Sequence, residues 1–119
     1  MNYMQKEKVI AIPEVYEYLE NLVDILYVND YFGFEDSAVN YVKELIDNMD
    51  TTLPIRLHKP APKYFDRYGK NLYYATVKKN DRTSWYAFFT KHCQNDEIIY
   101  LVRYISNNHV IGQFLSNDD

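Results

Sequence analysis

The residues best suited to chemistry lie between Arg82 and His109. Two strand-like runs flank a polar turn in this stretch, and two asparagines and a histidine follow the second run. Guanidinium groups can stabilise negative charge, aromatic rings can stack, and an imidazole can move protons near neutral pH. The candidate residues are Arg82, Trp85, Tyr86, Arg103, Asn107, Asn108 and His109.

Arg103 lies in the middle of an apolar run and alternates with Leu101 and Ile105. A charge among apolar neighbours needs a partner or access to water, because burying it unpaired is costly. Two interpretations follow. Arg103 forms a structural ion pair with a helix carboxylate, or it points to an open face of the sheet and binds phosphate.

Trp85 and Tyr86 are adjacent on a strand, so their side chains face opposite sides of the sheet. If Trp85 packs in the core with Ala87 and Phe89, Tyr86 lies on the open face with Phe88 and Thr90. The alternative is that both aromatic side chains only pack. Tyrosine, with an apolar body and a polar tip, suits either situation.

The cluster Asn107–His109 also has two interpretations. Paired asparagines are common in loops, because their side chains bond to nearby main chain. His109 nevertheless has a side chain that can act as a general acid or base, at a strand end close to the predicted hairpin.

Several other kinds of site are excluded by spacing. The three glycines are scattered, so the chain has no glycine-rich phosphate loop. The three histidines are scattered as well. His92 and Cys93 precede Asp96 and Glu97, but adjacent residues at a strand end point to opposite faces and do not make a zinc site. The sequence therefore predicts no metal and no cofactor.

Composition predicts a single globular domain over residues 1–119, with 47% hydrophobic and 25% charged residues. No apolar run approaches the roughly 18 residues that span a bilayer, and the N-terminus lacks a signal core. The single cysteine excludes an internal disulfide framework. We therefore expect a cytoplasmic protein with no membrane partner.

The net charge of −4 is unevenly distributed. The balance is −8 over residues 1–50, +7 over residues 51–92 and −3 over residues 93–119. A basic middle segment can focus positive potential on one face, where a polyanion docks. The alternative is a set of solvated lysines with no common face.

Apolar spacing predicts an α+β fold with helices on one face of a sheet. A strand over residues 6–12 leads at Pro13 into a helix over residues 13–28, and a turn connects it to a second helix over residues 34–49. These two helices form an αα-hairpin. A proline-containing loop covers residues 50–70.

An antiparallel meander follows this loop, with strands at Asn71–Lys79, Thr83–Cys93 and Ile98–Ser106. The last strand is apolar on both faces, which indicates a central position in the sheet. The tail from Val110 onward is predicted as a short strand or an ordered hook.

This order of elements resembles the RelE/ParE superfamily of toxins from type II toxin–antitoxin systems. The stretches R-T-S-W-Y-A-F-F and Y-L-V-R-Y-I-S-N-N-H resemble its plasmid-stabilisation-type members. The resemblance covers about residues 6 to 110. It implies a toxin whose partners are a cognate antitoxin and mRNA on the ribosome. ParE-like members of this fold inhibit DNA gyrase instead, so a non-nuclease member, either such an inhibitor or an inactive protein-binding relative, is the alternative.

In RelE-like members the open face of the sheet cleaves mRNA without a metal, by attack of the ribose 2′-OH on the adjacent phosphate. By position, Arg82 and Arg103 would stabilise charge, His109 would be the acid or base, and Tyr86 would stack or relay a proton. The implied substrate-binding residues are Arg56, Lys59, Lys63, Arg67, Lys79, Trp85 and Asn108. The chain departs from these nucleases in its acidic pI of about 5.3. It also has no Tyr or Arg in its C-terminal segment.

Overall fold

Five strands form one mixed sheet. The α+β class is as predicted, and one short strand is additional to the four that the sequence predicts. The computed structural model describes residues 6–28, 35–55 and 57–115, and of residues 35 and 36 the main chain only. The elements are β1 (Lys6–Ala11), α1 (Pro13–Val28), α2 (Glu35–Thr52), β2 (Lys59–Pro60), a 3₁₀ helix (Lys63–Tyr68), β3 (Tyr73–Asn80), β4 (Thr83–Gln94), β5 (Glu97–Asn107) and α3 (Asn108–Leu115). The predicted turn between α1 and α2 lies outside the described residues.

The strand order in the sheet is β1-β5-β4-β3-β2. β3, β4 and β5 form an antiparallel meander, and β1 pairs in parallel with β5. β5 therefore has a strand on each side, which agrees with the central position that its apolar sequence predicts. The short β2 pairs antiparallel with the beginning of β3.

The first core lies between the sheet and the helices α1 and α2. Each helix contributes a stripe of buried apolar residues at helical spacing, such as Leu19 in α1 and Leu45 in α2. The sheet contributes side chains from β1, β3, β4 and β5. Lys78 on β3 also reaches α2, where its Nζ lies 2.9 Å from Oε1 of Glu44. This hydrogen bond lowers the pKa of Glu44.

A second core covers part of the opposite face. It is centred on Phe65, Leu72, Phe88 and Ile111, which are all nearly fully buried. Phe65 comes from the 3₁₀ helix and Ile111 from α3, so these two elements lie across the sheet from α1 and α2. The prediction of helices on one face therefore describes only α1 and α2.

The C-terminal tail is a helix, which corrects the prediction of a strand or hook. α3 covers only eight residues, too few for a helix to be stable by itself. It forms because Ile111 packs into the second core and because Phe114 stacks on Tyr64, with ring centroids 3.7 Å apart. These contacts join residues far apart in sequence and leave little periodic signal in the tail.

The loop predicted over residues 50–70 contains the end of α2, the short β2 and the 3₁₀ helix. His58 attaches this loop to the first core. Its Nε2 lies 2.6 Å from the carbonyl oxygen of Leu53, and its ring meets Phe89 edge-on at 4.8 Å between centroids. His58 therefore has a structural place in the fold.

A β-bulge in β5 lies at Arg103 and changes the faces of the residues that follow it. Phe88 pairs with Tyr104 and Phe89 pairs with Val102, so Arg103 is an extra residue between them. A bulge changes which residues share a face of the sheet. Val102 and Ile105 consequently both face the first core, and the predicted alternation of Arg103 with Ile105 does not hold.

Candidate functional site

The second core leaves part of its face of the sheet uncovered. Because Phe89, Val102 and Ala11 face the first core, their neighbours along each strand face the other way. The strand register brings seven of these side chains together, and we call them the open sheet patch: Lys8, Ile10, Thr90, His92, Ile99, Leu101 and Arg103. In the described part of the chain, its three aliphatic residues are half-buried and belong to neither core.

Three polar side chains of the open sheet patch form a hydrogen-bonded chain. The Nε of Arg103 donates to Oγ1 of Thr90 at 3.3 Å, and the same oxygen lies 2.8 Å from Nε2 of His92. A hydroxyl that accepts from a guanidinium can direct its own proton at a neutral imidazole nitrogen. Thr90 thus links the positive charge of Arg103 to the imidazole of His92.

Gly69 holds the side chain of Arg103 in place. This glycine follows the 3₁₀ helix with φ of +144°, a conformation that other residues rarely adopt. A Cβ at this position would lie 3.0 Å from Cδ of Arg103. The absence of a side chain at Gly69 therefore lets Arg103 lie directly against the main chain.

Arg103 also lines a neighbouring cleft of about 550 Å³, which we call the arginine cleft. Its other lining residues are Ile12, Glu14, Val15, Tyr18, Arg67, Tyr68, Tyr104, Ile105, Ser106 and Val110. Arg67 is one of the predicted substrate-binding residues, so the structure brings it and Arg103 to one cavity. The guanidinium carbon of Arg67 lies 3.9 Å from the ring centroid of Tyr64.

Two stacked tyrosines form one wall of the arginine cleft. The rings of Tyr68 and Tyr104 are nearly parallel, with centroids 3.8 Å apart. Burial, with a smaller contribution from the hydrogen bond to Tyr104, raises the pKa of Tyr68 to about 12. Burial also raises the pKa of Tyr18. Tyr68 is therefore a neutral hydroxyl at physiological pH, able to donate a hydrogen bond but not to act as a base.

The other predicted catalytic residues lie elsewhere. His109 lines a second cleft of about 560 Å³ between α1 and the start of β4, which shares only Tyr18 and Val110 with the arginine cleft. The side chain of Arg82 is exposed in the turn before β4, and Tyr86 is half-buried against the second core. Arg82, Tyr86, Arg103 and His109 do not converge on one cavity.

The side chains of the two asparagines before His109 form hydrogen bonds with main-chain groups. Oδ1 of Asn107 accepts hydrogen bonds from the main-chain N–H groups of His109 and Val110, which caps the start of α3. The side chain of Asn108 accepts from the N–H of Ser84 at 2.8 Å and donates to the carbonyl oxygen of Arg82 at 3.1 Å. The loop interpretation of these asparagines is the one that the contacts support.

Trp85 is a core residue, which argues against the substrate-binding role predicted for it. Its side chain is 2% exposed, and its Nε1 donates to the hydroxyl of Tyr41 at 2.9 Å. Tyr86 and Phe88 do face the opposite side, as the alternation predicts. That part of the face is not open, however, because the 3₁₀ helix and α3 cover it.

The predicted basic segment does not form one surface. Lys78 and Lys91 lie on the side of the first core, where each places its Nζ near a tyrosine ring. The predicted anchors Lys59, Lys63 and Lys79 are exposed at separate places, in β2, the 3₁₀ helix and β3. Arg56 lies outside the described residues. The charge-focusing interpretation of the whole segment is therefore weaker than the alternative of separate solvated side chains.

Sequence inspection missed His92 and Thr90 as members of a site with Arg103. The alternation of β4 places these two residues on one face, and that signal was available in the sequence. What brings Arg103 to them is the register between β4 and β5, which pairs Leu101, two residues before Arg103, with Thr90, and which the sequence does not show. Among the described residues, no three His, Cys, Asp or Glu side chains are grouped as metal ligands.

No described helix is long and apolar enough to cross a membrane. No protein-family model, no curated protein and no solved structure matches the chain.

Proposed function

We propose that the protein is the toxin of a type II toxin–antitoxin system, with a RelE/ParE-type fold, and that it cleaves mRNA on the ribosome in the cytoplasm. The observation that carries this proposal is the hydrogen-bonded chain Arg103–Thr90–His92 on the open sheet patch. The order of elements supports it as well, since a strand, two helices and an antiparallel meander are the features that the resemblance names.

The reaction needs charge stabilisation and two proton movements. The ribose 2′-oxygen forms a bond to the neighbouring phosphorus, and the bond from phosphorus to the 5′-oxygen breaks. One proton leaves the 2′-OH and one reaches the departing 5′-oxygen, giving a cyclic 2′,3′-phosphate and a 5′-OH. Arg103 would stabilise the negative charge on the phosphate oxygens in the transition state. His92 would carry a proton.

His92 takes the acid–base role in this proposal, in place of His109. It is exposed, and it lies within hydrogen-bonding distance of the same hydroxyl as Arg103. Lys8, exposed on the same patch, would hold a neighbouring backbone phosphate. The aliphatic side chains of Ile99 and Leu101 would form the floor on which a base rests.

Induced expression in a bacterial host tests this function. The wild type should arrest growth and produce new mRNA 5′ ends, and the double variant Arg103→Ala/His92→Ala should do neither. The matched control is Lys79→Ala/His109→Ala, which also removes one cation and one imidazole and should retain both effects. Growth arrest without new mRNA ends would contradict the nuclease proposal. Normal growth during expression of the folded wild-type protein would contradict the toxin proposal.

A non-nuclease member of the same fold is the second candidate, either a ParE-like gyrase inhibitor or an inactive protein-binding relative. A groove on the outer side of α1 and α2 favours it. This groove is lined largely by apolar residues, and Tyr16 and Val39 on its walls are 45% and 43% exposed. Inhibition of gyrase supercoiling in vitro, lost in Val39→Glu and retained in Arg103→Ala, would favour this candidate over the nuclease.

A further inference from the structure

The cleft that His109 lines has no role in the proposed ribonuclease reaction, and we call it the histidine cleft. Its volume is about 560 Å³, and its walls come from α1 between Tyr18 and Leu26, from Tyr41 on α2, from the β3–β4 turn and from the start of α3. Cavities of about 300–1,000 Å³ are typical of small-molecule sites. The histidine cleft is therefore large enough to enclose most of a small ligand.

The lining of the histidine cleft is largely apolar and aromatic. Leu22 and Trp85 line it and are buried, and Tyr18 and Tyr41 line it and are half-buried. The indole Nε1 of Trp85 donates to the hydroxyl of Tyr41 at 2.9 Å, so this polar atom has its partner within the protein. Aromatic rings pack well against another ring, edge to face or offset. The lining therefore favours a ligand with a flat ring.

The histidine cleft differs in charge from the arginine cleft, although the two have nearly the same volume. The arginine cleft is lined by Arg67, Arg103 and Glu14. Among the described residues, no Asp, Glu, Lys or Arg side chain lines the histidine cleft. A charged ligand would lose its water there without gaining a charged partner, which is costly. The ligand that fits is therefore neutral.

Neighbouring polar side chains lie at the β3–β4 end of the histidine cleft. Asn80 pairs with Thr83 across the turn, and Oγ1 of Thr83 lies 3.0 Å from Nε2 of His109. In the described part of the chain, the side-chain amide of Asn80 and Nδ1 of His109 have no hydrogen-bond partner in the protein. A carboxamide has both a donor and an acceptor, so it can exchange hydrogen bonds with both groups.

We propose that the histidine cleft binds a small, neutral aromatic molecule that carries a carboxamide or a similar hydrogen-bonding group. The ring would contact the aromatic lining around Trp85, and the polar group would bond to Asn80 and to Nδ1 of His109. The inference does not depend on the proposed ribonuclease activity, because no residue of the histidine cleft belongs to the open sheet patch.

Benzamide, a flat ring with one neutral carboxamide, is the probe, titrated into the full chain and followed by NMR. Trp85 is the only tryptophan of the chain, so its indole N–H gives a single signal that reports on the cleft. We expect a saturable shift of this signal and of the main-chain signals of Thr83 and His109.

Two compounds of similar size serve as controls. Benzoate replaces the carboxamide by a charged group and should bind at least about tenfold more weakly than benzamide, because the lining offers no charged partner. Cyclohexanecarboxamide keeps the polar group but has no flat ring, and it should bind about threefold more weakly.

Protein variants test the same contacts in both directions. Ile25 lines the cleft and is 43% exposed, so Ile25→Lys adds a cation to the wall and should strengthen benzoate binding about threefold. Val28→Lys, at an exposed position of α1 outside the cleft, is the matched control and should not. Asn80→Ala should weaken benzamide binding about fivefold, whereas Lys79→Ala should leave it unchanged.

Three results would overturn the proposal. The first is the absence of a saturable shift of the Trp85 signal in the folded wild-type protein. The second is equal binding of the three compounds. The third is binding at another place, shown either by shifts confined to residues of the arginine cleft or by benzoate binding that Ile25→Lys and Val28→Lys strengthen equally.

Discussion

Two exposed histidines each lie within hydrogen-bonding distance of a threonine, yet their surroundings differ. His92 is 2.8 Å from Thr90, whose hydroxyl also accepts a hydrogen bond from Arg103. His109 is 3.0 Å from Thr83, in the first turn of α3. One histidine belongs to an uncovered sheet surface with a permanent positive charge. The other belongs to the junction that holds the C-terminal helix on the sheet.

The comparison shows that local sequence context is a poor guide to which histidine lies beside an arginine on the sheet. His109 follows two asparagines at a strand end, a context that allows either a site or an ordinary loop. Those asparagines, however, bond to the main chain of α3 and of the β3–β4 turn. His92 has an unremarkable sequence context and gains its significance only from Arg103, which lies on the same face of the sheet, two residues after Leu101.

Among the arginine and asparagine variants, Arg103→Ala should have the largest effect, a loss of RNA cleavage. Removing one group that stabilises charge in a transition state costs about 10²–10³-fold in rate. We expect a loss of this size for ribosome-dependent cleavage in vitro, with partial retention in Arg103→Lys, which keeps the charge. Arg82→Ala is the matched control and should remain within about threefold of wild type. Equal losses in both arginine variants would contradict the assignment.

Asn108→Ala should have a large effect on the stability of the fold but none on RNA cleavage. The change leaves the N–H of Ser84 and the carbonyl of Arg82 without their partner, and an unsatisfied group of this kind costs about 1–3 kcal/mol. Chemical denaturation measures the loss. Asn108→Asp retains the acceptor for Ser84 and should fall between wild type and alanine. A cleavage defect in folded Asn108→Ala would indicate a site at the α3 junction after all.

Asn107→Ala should have a smaller effect, because only a helix cap is lost. Replacing an N-cap asparagine by alanine costs about 1 kcal/mol. Asn107→Asp keeps a cap oxygen and should restore the free energy of unfolding measured by denaturation. If both substitutions are equally destabilising, the cap is not the reason.

The smallest effect is a loss of stability at alkaline pH, and it involves one tyrosine on each face of the sheet. Burial raises the pKa of Tyr68, on the face of the second core, and of Tyr100, whose hydroxyl donates to Glu7, from 10.0 to about 12 each. The folded protein thus keeps these protons to higher pH than the unfolded chain does. Their contribution is full below about pH 10, and the free energy of unfolding falls as the pH rises toward about 12.

Denaturation at a series of pH values measures this slope. Tyr100→Phe should make the decrease shallower, because it removes one of the two groups. Tyr16→Phe, at an exposed position on α1, is the control and should leave the slope unchanged. A slope that Tyr100→Phe does not alter would contradict the assignment for Tyr100.

The sequence predicted the elements whose periodicity is strong. Burial imposes local patterns on a sequence: apolar stripes on helices such as α1 and α2, and alternation on strands. The alternation of Trp85, Ala87 and Phe89 is an example of the second pattern. α3 and the 3₁₀ helix were missed because each is short, and because both depend on aromatic contacts between distant residues. Phe65 against Phe88 and Tyr64 against Phe114 are examples.

The site was harder to predict than the fold. Arg103 was identified from its charge in an apolar strand, which is a strong signal because such a charge needs an explanation. Its partners were not, since they depend on the register between β4 and β5, which pairs Leu101 with Thr90 and is set by contacts between residues distant in sequence. The resemblance, by contrast, implies substrate binding for Trp85, although its indole lies in the first core.

The most direct test compares His92→Ala with His109→Ala in ribosome-dependent mRNA cleavage, with thermal melting to show that both variants fold. The two substitutions remove the same side chain from two exposed positions that each face a threonine. We predict that His92→Ala lowers the rate by about 10²–10⁴-fold and that His109→Ala leaves it within a few-fold of wild type. A larger loss in His109→Ala than in His92→Ala would contradict the assignment of the open sheet patch as the site.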